Sequence, residues 1–427
     1  MNRSALLAIA VLLAGCGSRG EGPSIRTVAL PSPPGQAVVV EPHVAVDPAR
    51  PNRIVVGAQY GAGYNRGGRG VFSWGSDDGG RTWTGRDLPL PRADATLAAD
   101  AVTGFDGDGR PLITYLYADT AFTGGAVVTR GRGNTLEFGP AVPIARGSLS
   151  GEGAIDKGWL AVDHSRVSPF AGTIYLTYHH IKFHPDGSPD PSFWLRAARD
   201  LRSQPSEPIR IASRFGGQIA VRADGGLDAA YLETASDGIL IRSSGDGGRT
   251  FGAEEAVVRT PGREIDLVSI AATNDTTIVC WAERATGTDE DRAARCTLRA
   301  GERAWSAPSA IDSARPGLAF PAVAAGASGI WVLGYWAGSD STEVRLYRST
   351  DGGRSFGSYA VLAARGFGLT SFCPAALAPC RQDPARFFPG DYAGLTVATG
   401  VVVAVFALPE TDDPAGPSVI FASVVRP

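Results

Sequence analysis

Ser76-Asp77-Asp78-Gly79-Gly80-Arg81-Thr82-Trp83 returns as Ser244-Gly245-Asp246-Gly247-Gly248-Arg249-Thr250-Phe251 and again as Ser349-Thr350-Asp351-Gly352-Gly353-Arg354-Ser355-Phe356. A pattern S-x-D-x-G-x-[TS]-[WF] at distant points of one chain marks an internal repeat. Its chemistry is that of a tight turn. Ser and Asp side chains bond the local backbone, Gly supplies positive φ, and the closing aromatic starts a strand and buries its ring.

Outward from these turns, a strand pattern recurs seven times. Inner strands are read at His43–Asp47, Ala101–Phe105, Trp159–Asp163, Gln218–Val221, Leu267–Ile270, Pro321–Ala324 and Tyr392–Thr396. Each is followed by a turn and a second apolar strand, such as Arg53–Gly57, Thr173–Tyr178 or Val401–Phe406. The period of roughly 50–70 residues suits a four-stranded propeller blade. The expectation is an all-β, seven-bladed propeller, with Ile25–Ala29 supplying the fourth strand of the last blade and closing the ring. A six-bladed ring would require two units to merge. Degenerate octapeptides are read at Thr129–Leu136 and, more weakly, at Thr297–Trp305. Phe105-Asp106-Gly107-Asp108-Gly109 starts like a calcium loop, but its twelfth position is Tyr117 rather than Glu, so it reads as a hairpin turn.

The octapeptides resemble the Asp-box, or bacterial neuraminidase repeat, of sialidases and other β-propellers. Three further stretches resemble secreted, sialidase-like propellers across nearly the whole mature chain: Glu41–Pro48, Asp156–Asp163 with Ser168–Tyr175, and Gly390–Leu395.

Met1-Asn2-Arg3, an apolar run over Ala5–Ala14, and Leu13-Ala14-Gly15-Cys16 read as a secretory signal too short to span a membrane. Cys16 after three small or apolar residues resembles a lipobox. Residues 1–16 are therefore expected to be a lipoprotein leader, 17–23 a flexible tether and 24–427 one propeller domain. The expected location is the cell envelope, with membrane contact through the lipid alone. Cys280, Cys296, Cys373 and Cys380 form an even set. Of three possible connectivities, Cys280–Cys296 across a hairpin and Cys373–Cys380 within a loop are favoured. A net charge of −3 gives no electrostatic case for nucleic acid. His179-His180-Ile181-Lys182-Phe183-His184 places adjacent histidines on opposite faces of any strand, so it reads as a solvated loop; neither a metal nor a cofactor is expected.

In a propeller, residues before the inner strands and after the second strands share one face, opposite the octapeptides. That rule gathers Glu41, His43, Asp100, Asp156, Lys157, Arg214, Arg263, Asp266, Asp391 and Tyr392, and from the second strands Gln59, Tyr60, Tyr117, Asp119, His179, His180, Glu233, Glu283, Arg284 and Trp336. Converging carboxylates, arginines and aromatics suit a carbohydrate or another small polar ligand. The longest insertion between blades, Arg365–Pro389, leads into Asp391-Tyr392 and is expected over this face.

The resemblance to sialidases implies a Tyr nucleophile with a Glu partner, an Asp acid/base and three arginines clamping a carboxylate. Tyr392, Glu283 or Glu233, Asp100 or Asp156, and Arg214, Arg263 and Arg284 would take those roles. The sialidase motif Phe/Tyr-Arg-Ile-Pro is absent; Arg53-Ile54 lies inside a strand and lacks Pro. The expectation is thus a sialidase-like propeller that binds a glycan or polar ligand, with glycoside hydrolysis as its enzymatic form. The alternative is a non-catalytic scaffold docking envelope proteins.

Overall fold

The second strand of each repeat is packed on both faces, so it reads as a continuous apolar run rather than an alternating one. Every residue of Val401–Pro409 is buried, as are Ile54 to Ala58 and Leu227 to Leu232. The computed structural model describes residues 24–35, 38–61, 69–133, 136–233, 237–286, 292–301, 303–315, 317–375 and 379–427. The leader 1–16 with Cys16 and the tether 17–23 lie outside the described residues. So do residues 134 and 135 of the degenerate octapeptide and residue 302 of the weaker one.

Seven four-stranded antiparallel sheets result, each built from consecutive strands except the last. In the last, Ser24–Ala29 pairs with Ser418–Arg426, from Ser24 opposite Arg426 to Ala29 opposite Phe421. The ring is closed by its two chain ends, and the six-bladed alternative is excluded. The inner strands Val38–Asp47, Leu97–Phe105, Ala154–Val162, Gln218–Val221, Arg263–Ala272, Leu318–Gly326 and Gly394–Ala398 each touch the next, the seventh meeting the first. They approach closely: a Cβ on Gly394 would lie 2.8 Å from the Val44 nitrogen.

The three octapeptides are built alike. Ser76, Ser244 and Ser349 each accept a bond from the second glycine's N–H, at 2.8, 2.9 and 2.8 Å. Asp78, Asp246 and Asp351 each accept from the hydroxyl four residues on, at 2.7, 2.6 and 2.6 Å. These donors hold the three carboxyls below the usual carboxylate range. Glycine is required at the second position twice over. Gly80, Gly248 and Gly353 have φ of 83°, 81° and 86°. A Cβ there would sit 2.5–2.6 Å from Val424, Leu195 or Leu298, each in the preceding blade. Each turn therefore locks one blade against its neighbour. The Asn52 carbonyl, near the start of the second strand Arg50–Gly61, accepts from the Gly79 N–H, which fixes the octapeptide on the face where inner strands end.

Cys280 pairs with Cys296 directly across a hairpin, and Cys373 with Cys380. Asp106 caps its own hairpin through Asp108 and Arg110 N–H groups, as the turn reading requires. The histidine stretch is not a loop. His179 and His180 belong to strand Ile174–Phe183, and the first is fully buried. Among the described residues no helix is long and apolar enough to cross a membrane.

Removing Ser24–Leu30 exposes the edge of Ser418–Arg426 and removes the buried Leu30 and half-buried Val28 side chains. The expected cost is on the order of 3 kcal/mol, with a tendency of the bared edge to self-associate. Urea unfolding and sedimentation would register both; an unchanged midpoint would mean the ring holds without its seam.

Candidate functional site

Five inner strands carry a register shift at the same height: between Val40 and His43, Ala99 and Val102, Asp156 and Trp159, Ile265 and Val268, and Ala319 and Ala322. Residues that the sequence places before these strands thus lie inside them, at β-bulges. Four bulges open on a non-glycine residue in the left-handed region: Glu41 (φ 56°), Asp100 (53°), Lys157 (47°) and Phe320 (50°). Each such backbone costs on the order of 1 kcal/mol, which the surrounding sheet must overcome. Three of the four carry charge, and those three meet.

Glu41 is buried. Its Oε1 accepts the Asp391 N–H at 2.9 Å, and its own N–H bonds the Pro389 carbonyl at 3.1 Å. This interlock needs Gly390, whose φ is 99° and whose Cβ would fall 2.0 Å from Glu41 Cγ. Glu41 Oε2 has no donor among the described groups, and the Asp100 carboxyl beside it supplies one when protonated. Burial first, then the Glu41 charge, pushes the Asp100 carboxyl up to about 7. Glu41 is raised as well, chiefly by burial, so the pair holds a proton near neutrality. Asp156 is raised by burial and then by Asp100. Gln59 fixes the Asp100 backbone, its Oε1 accepting the N–H at 3.1 Å.

The cations acting on these carboxyls are Lys157 and Arg381. The Lys157 ammonium forms an ion pair with Asp391 Oδ2, and Arg381 Nη1 lies 3.9 Å from Asp391 Oδ1. Lys157 also stands over the Tyr392 ring, 5.7 Å from its centre. The Tyr392 hydroxyl donates to the Ala101 carbonyl at 3.3 Å. Burial and then the Asp100, Glu41 and Asp156 charges raise it well above the ordinary phenol value, so it stays protonated. Behind Lys157, His179 bridges its carbonyl and the Gly217 N–H, and burial lowers the imidazole to about 3, which keeps the ring neutral.

Below the cluster the axial channel opens into a cavity of about 180 Å³, walled in part by His43, Trp159, Tyr392, Asp266, Gln218 and Ser269. Trp159 meets His43 and Tyr392 edge to face, at 5.1 and 5.8 Å between centres. Burial lowers His43 to about 4, leaving a neutral ring whose Nδ1 accepts the Thr103 N–H at 3.1 Å.

Among the expected residues, then, Glu41, Asp100, Asp156, Lys157, Asp391 and Tyr392 converge, with His43 just below. Others do not. Glu283 is buried in a fifth-blade network, accepting from Trp281 and Arg295 at 2.9 Å each and pairing with Arg263 at 3.1 Å. Arg284 pairs with Glu264 at 2.5 Å, Arg214 lies 3.7 Å from Glu254, and Glu233 pairs with Arg259. Trp336 stacks beneath Arg315 and Arg345. The three-arginine clamp and the Tyr392–glutamate couple are therefore not assembled.

Arg381 is the residue that strand phasing misses. It rides on the insertion before Pro389, whose Phe367, Phe372, Phe387 and Phe388 are buried; Phe372 and Phe388 pack against Phe320. Among the described residues, no group of three or more His, Cys, Asp or Glu has the geometry to hold a metal ion.

No family model and no curated protein matches the sequence. Solved structures do match in shape. A Dyadobacter fermentans protein of unknown function is 12% identical at TM-score 0.52, over 94% of this chain and 99% of its own. A polysaccharide lyase is 11% identical at 0.54, over 90% and 89%. An α-L-arabinofuranosidase of Fusarium graminearum, in complex with arabinobiose, is 11% identical at 0.53, over 94% and 97%. The chain shares their propeller fold.

Asp100 holds its proton in the folded state at pH values where the unfolded chain has lost it. Its contribution is therefore favourable below about 4, the unfolded value, and is lost as the pH rises through about 7. Asp100→Asn should gain on the wild type across that window by about 4 kcal/mol at most. Urea midpoints at the two ends of the window test this; a constant difference would show that the carboxyl titrates normally.

Proposed function

We propose that the protein binds a glycan at the axial carboxylate cluster and cleaves its glycosidic bond by acid–base catalysis. The observation that carries this reading is the Glu41–Asp100 pair, held against each other on two strained bulges and retaining a proton near neutrality. Glycosidic cleavage needs one carboxyl that donates a proton to the leaving oxygen and a second that serves as base or nucleophile. Raising a carboxyl toward neutrality by burial and a like charge is the means of keeping such an acid charged with its proton. We assign the acid to Asp100, backed by Glu41, and the base to Asp156. Lys157, fixed by Asp391 and by the His179 bridge, orients the sugar hydroxyls. Propellers of the same shape that include a polysaccharide lyase and an arabinofuranosidase support a carbohydrate ligand.

A panel of neutral and acidic polysaccharides, scored by newly formed reducing ends, tests the assignment. Asp100→Asn should lower the rate about 10²–10⁴-fold with little change in oligosaccharide binding. The wild-type rate should fall as the pH rises past about 7, where the acid loses its proton. Cleavage that survives Asp100→Asn unchanged would remove Asp100 from the chemistry.

We further propose that the chain is exported and anchored through acylated Cys16, the propeller standing off the membrane on residues 17–23. Two disulfides within the propeller accord with an oxidising compartment. Radiolabelled palmitate should enter the wild type and not Cys16→Ser when expressed in a bacterium; equal labelling would rule this anchor out.

A further inference from the structure

We propose that the axial site selects uncharged sugars and rejects acidic ones. This rests on the reading of the site as a glycan-binding centre and names the class of glycan it takes. Carboxylates dominate the charge around the channel. Glu41, Asp100, Asp156 and Asp391 converge from the first, second, third and seventh blades, and buried Asp266 stands in the cavity wall beneath them. Among the described residues, Lys157 and Arg381 stand against these. Even with one proton shared by Glu41 and Asp100, carboxylates outnumber cations. Both cations, moreover, already face the same partner, Asp391.

The arginines that would neutralise a sugar carboxylate are engaged on other carboxylates: Arg263 on Glu283, Arg284 on Glu264, Arg214 beside Glu254. A uronate, sialate or sulfate entering the channel would bring a like charge into a low-dielectric space where the described residues offer no arginine fork to receive it. Rejection of this kind is specificity by repulsion rather than by added contact.

A neutral ring meets a different surface. The Asp266 and Asp391 carboxylates in the cavity wall accept from its hydroxyls, and the indole of Trp159 with the ring of Tyr392 offers apolar walls to its C–H face. The cavity of about 180 Å³ corresponds to about six water volumes, room for one sugar ring.

Matched pairs that differ only in charge provide the test. Suitable probes are lactose with sialyllactose, methyl-esterified with free-acid oligogalacturonides, and xylo-oligosaccharides with and without glucuronate branches. Binding of the full propeller is read by calorimetry or on an array. The neutral member of a recognised pair should bind at least about tenfold more tightly. Asp391→Asn, which frees Lys157 for an incoming anion, should narrow that gap about tenfold by improving the acidic member. Equal or tighter binding of acidic members by the wild type would overturn the charge rule while leaving the glycan reading intact. If the folded protein binds no member of any pair, both fall.

Discussion

Seven strands converging on one axis leave their upper ends little room, and the bulge is how this chain resolves the crowding. An inner strand that kept perfect register would alternate its side chains between the two neighbouring blades. Inserting an extra residue, with the first turned into the left-handed region, redirects one side chain away from both packing faces. That this residue is Glu41, Asp100 or Lys157, and not glycine, is the informative fact. Glycine would adopt the conformation without strain. The strained backbone therefore goes with a requirement for the side chain, an inference that runs from an observed outlier to a role.

The rest of the architecture serves to hold those bulges still. Closure by Ser24–Ala29 fixes the circumference, and three glycine-bearing turns on the far face lock the first, fourth and sixth blades to the ones before them. The long insertion after the sixth blade anchors itself through buried phenylalanines and ends at Gly390, where the absent side chain lets Glu41 reach the Asp391 backbone. Carboxyls that would separate in water are thereby kept within reach of one another. Their mutual repulsion appears as proton retention, since a buried pair relieves it more cheaply by holding a proton than by moving apart.

What could be read from sequence follows a physical divide. Local chemistry was legible: the octapeptide turns, the Cys280–Cys296 hairpin and the edge pairing of the chain ends all depend on residues near in sequence or on simple strand count. Phase along the repeat also brought Glu41, Asp100, Asp156, Lys157, Asp391 and Tyr392 to one face. The bulges were not read, although Pro42, Gly158 and Pro321 at their second residues are types that interrupt a strand interior; strand period alone does not separate such a residue from one lying before the strand. Arginine destinations were not legible either. A long, flexible guanidinium pairs with whichever carboxylate tertiary packing brings near, so Arg263 and Arg284 spend their charge within the fifth blade. Arg381 escaped because its position depends on how an irregular insertion folds, for which strand period says nothing.

Shape alone does not carry the reaction. Propellers similar to this one include both a lyase and an arabinofuranosidase, enzymes whose names imply different bond-breaking steps. What differs between such proteins must lie in the few side chains that line the axis. Here the axis holds a carboxyl pair that shares a proton, a phenol kept neutral by burial and by the carboxyl charges, and an ammonium bound to a carboxylate. A β-elimination would draw on a neutral base beside the acidified carbon of a uronate and on cations that neutralise that uronate's charge. Neutral His43 and the cations Lys157 and Arg381 stand here too, but both cations face Asp391 and the carboxyls outnumber them. That balance supports the proposed protonation of an uncharged acetal over elimination from a uronate.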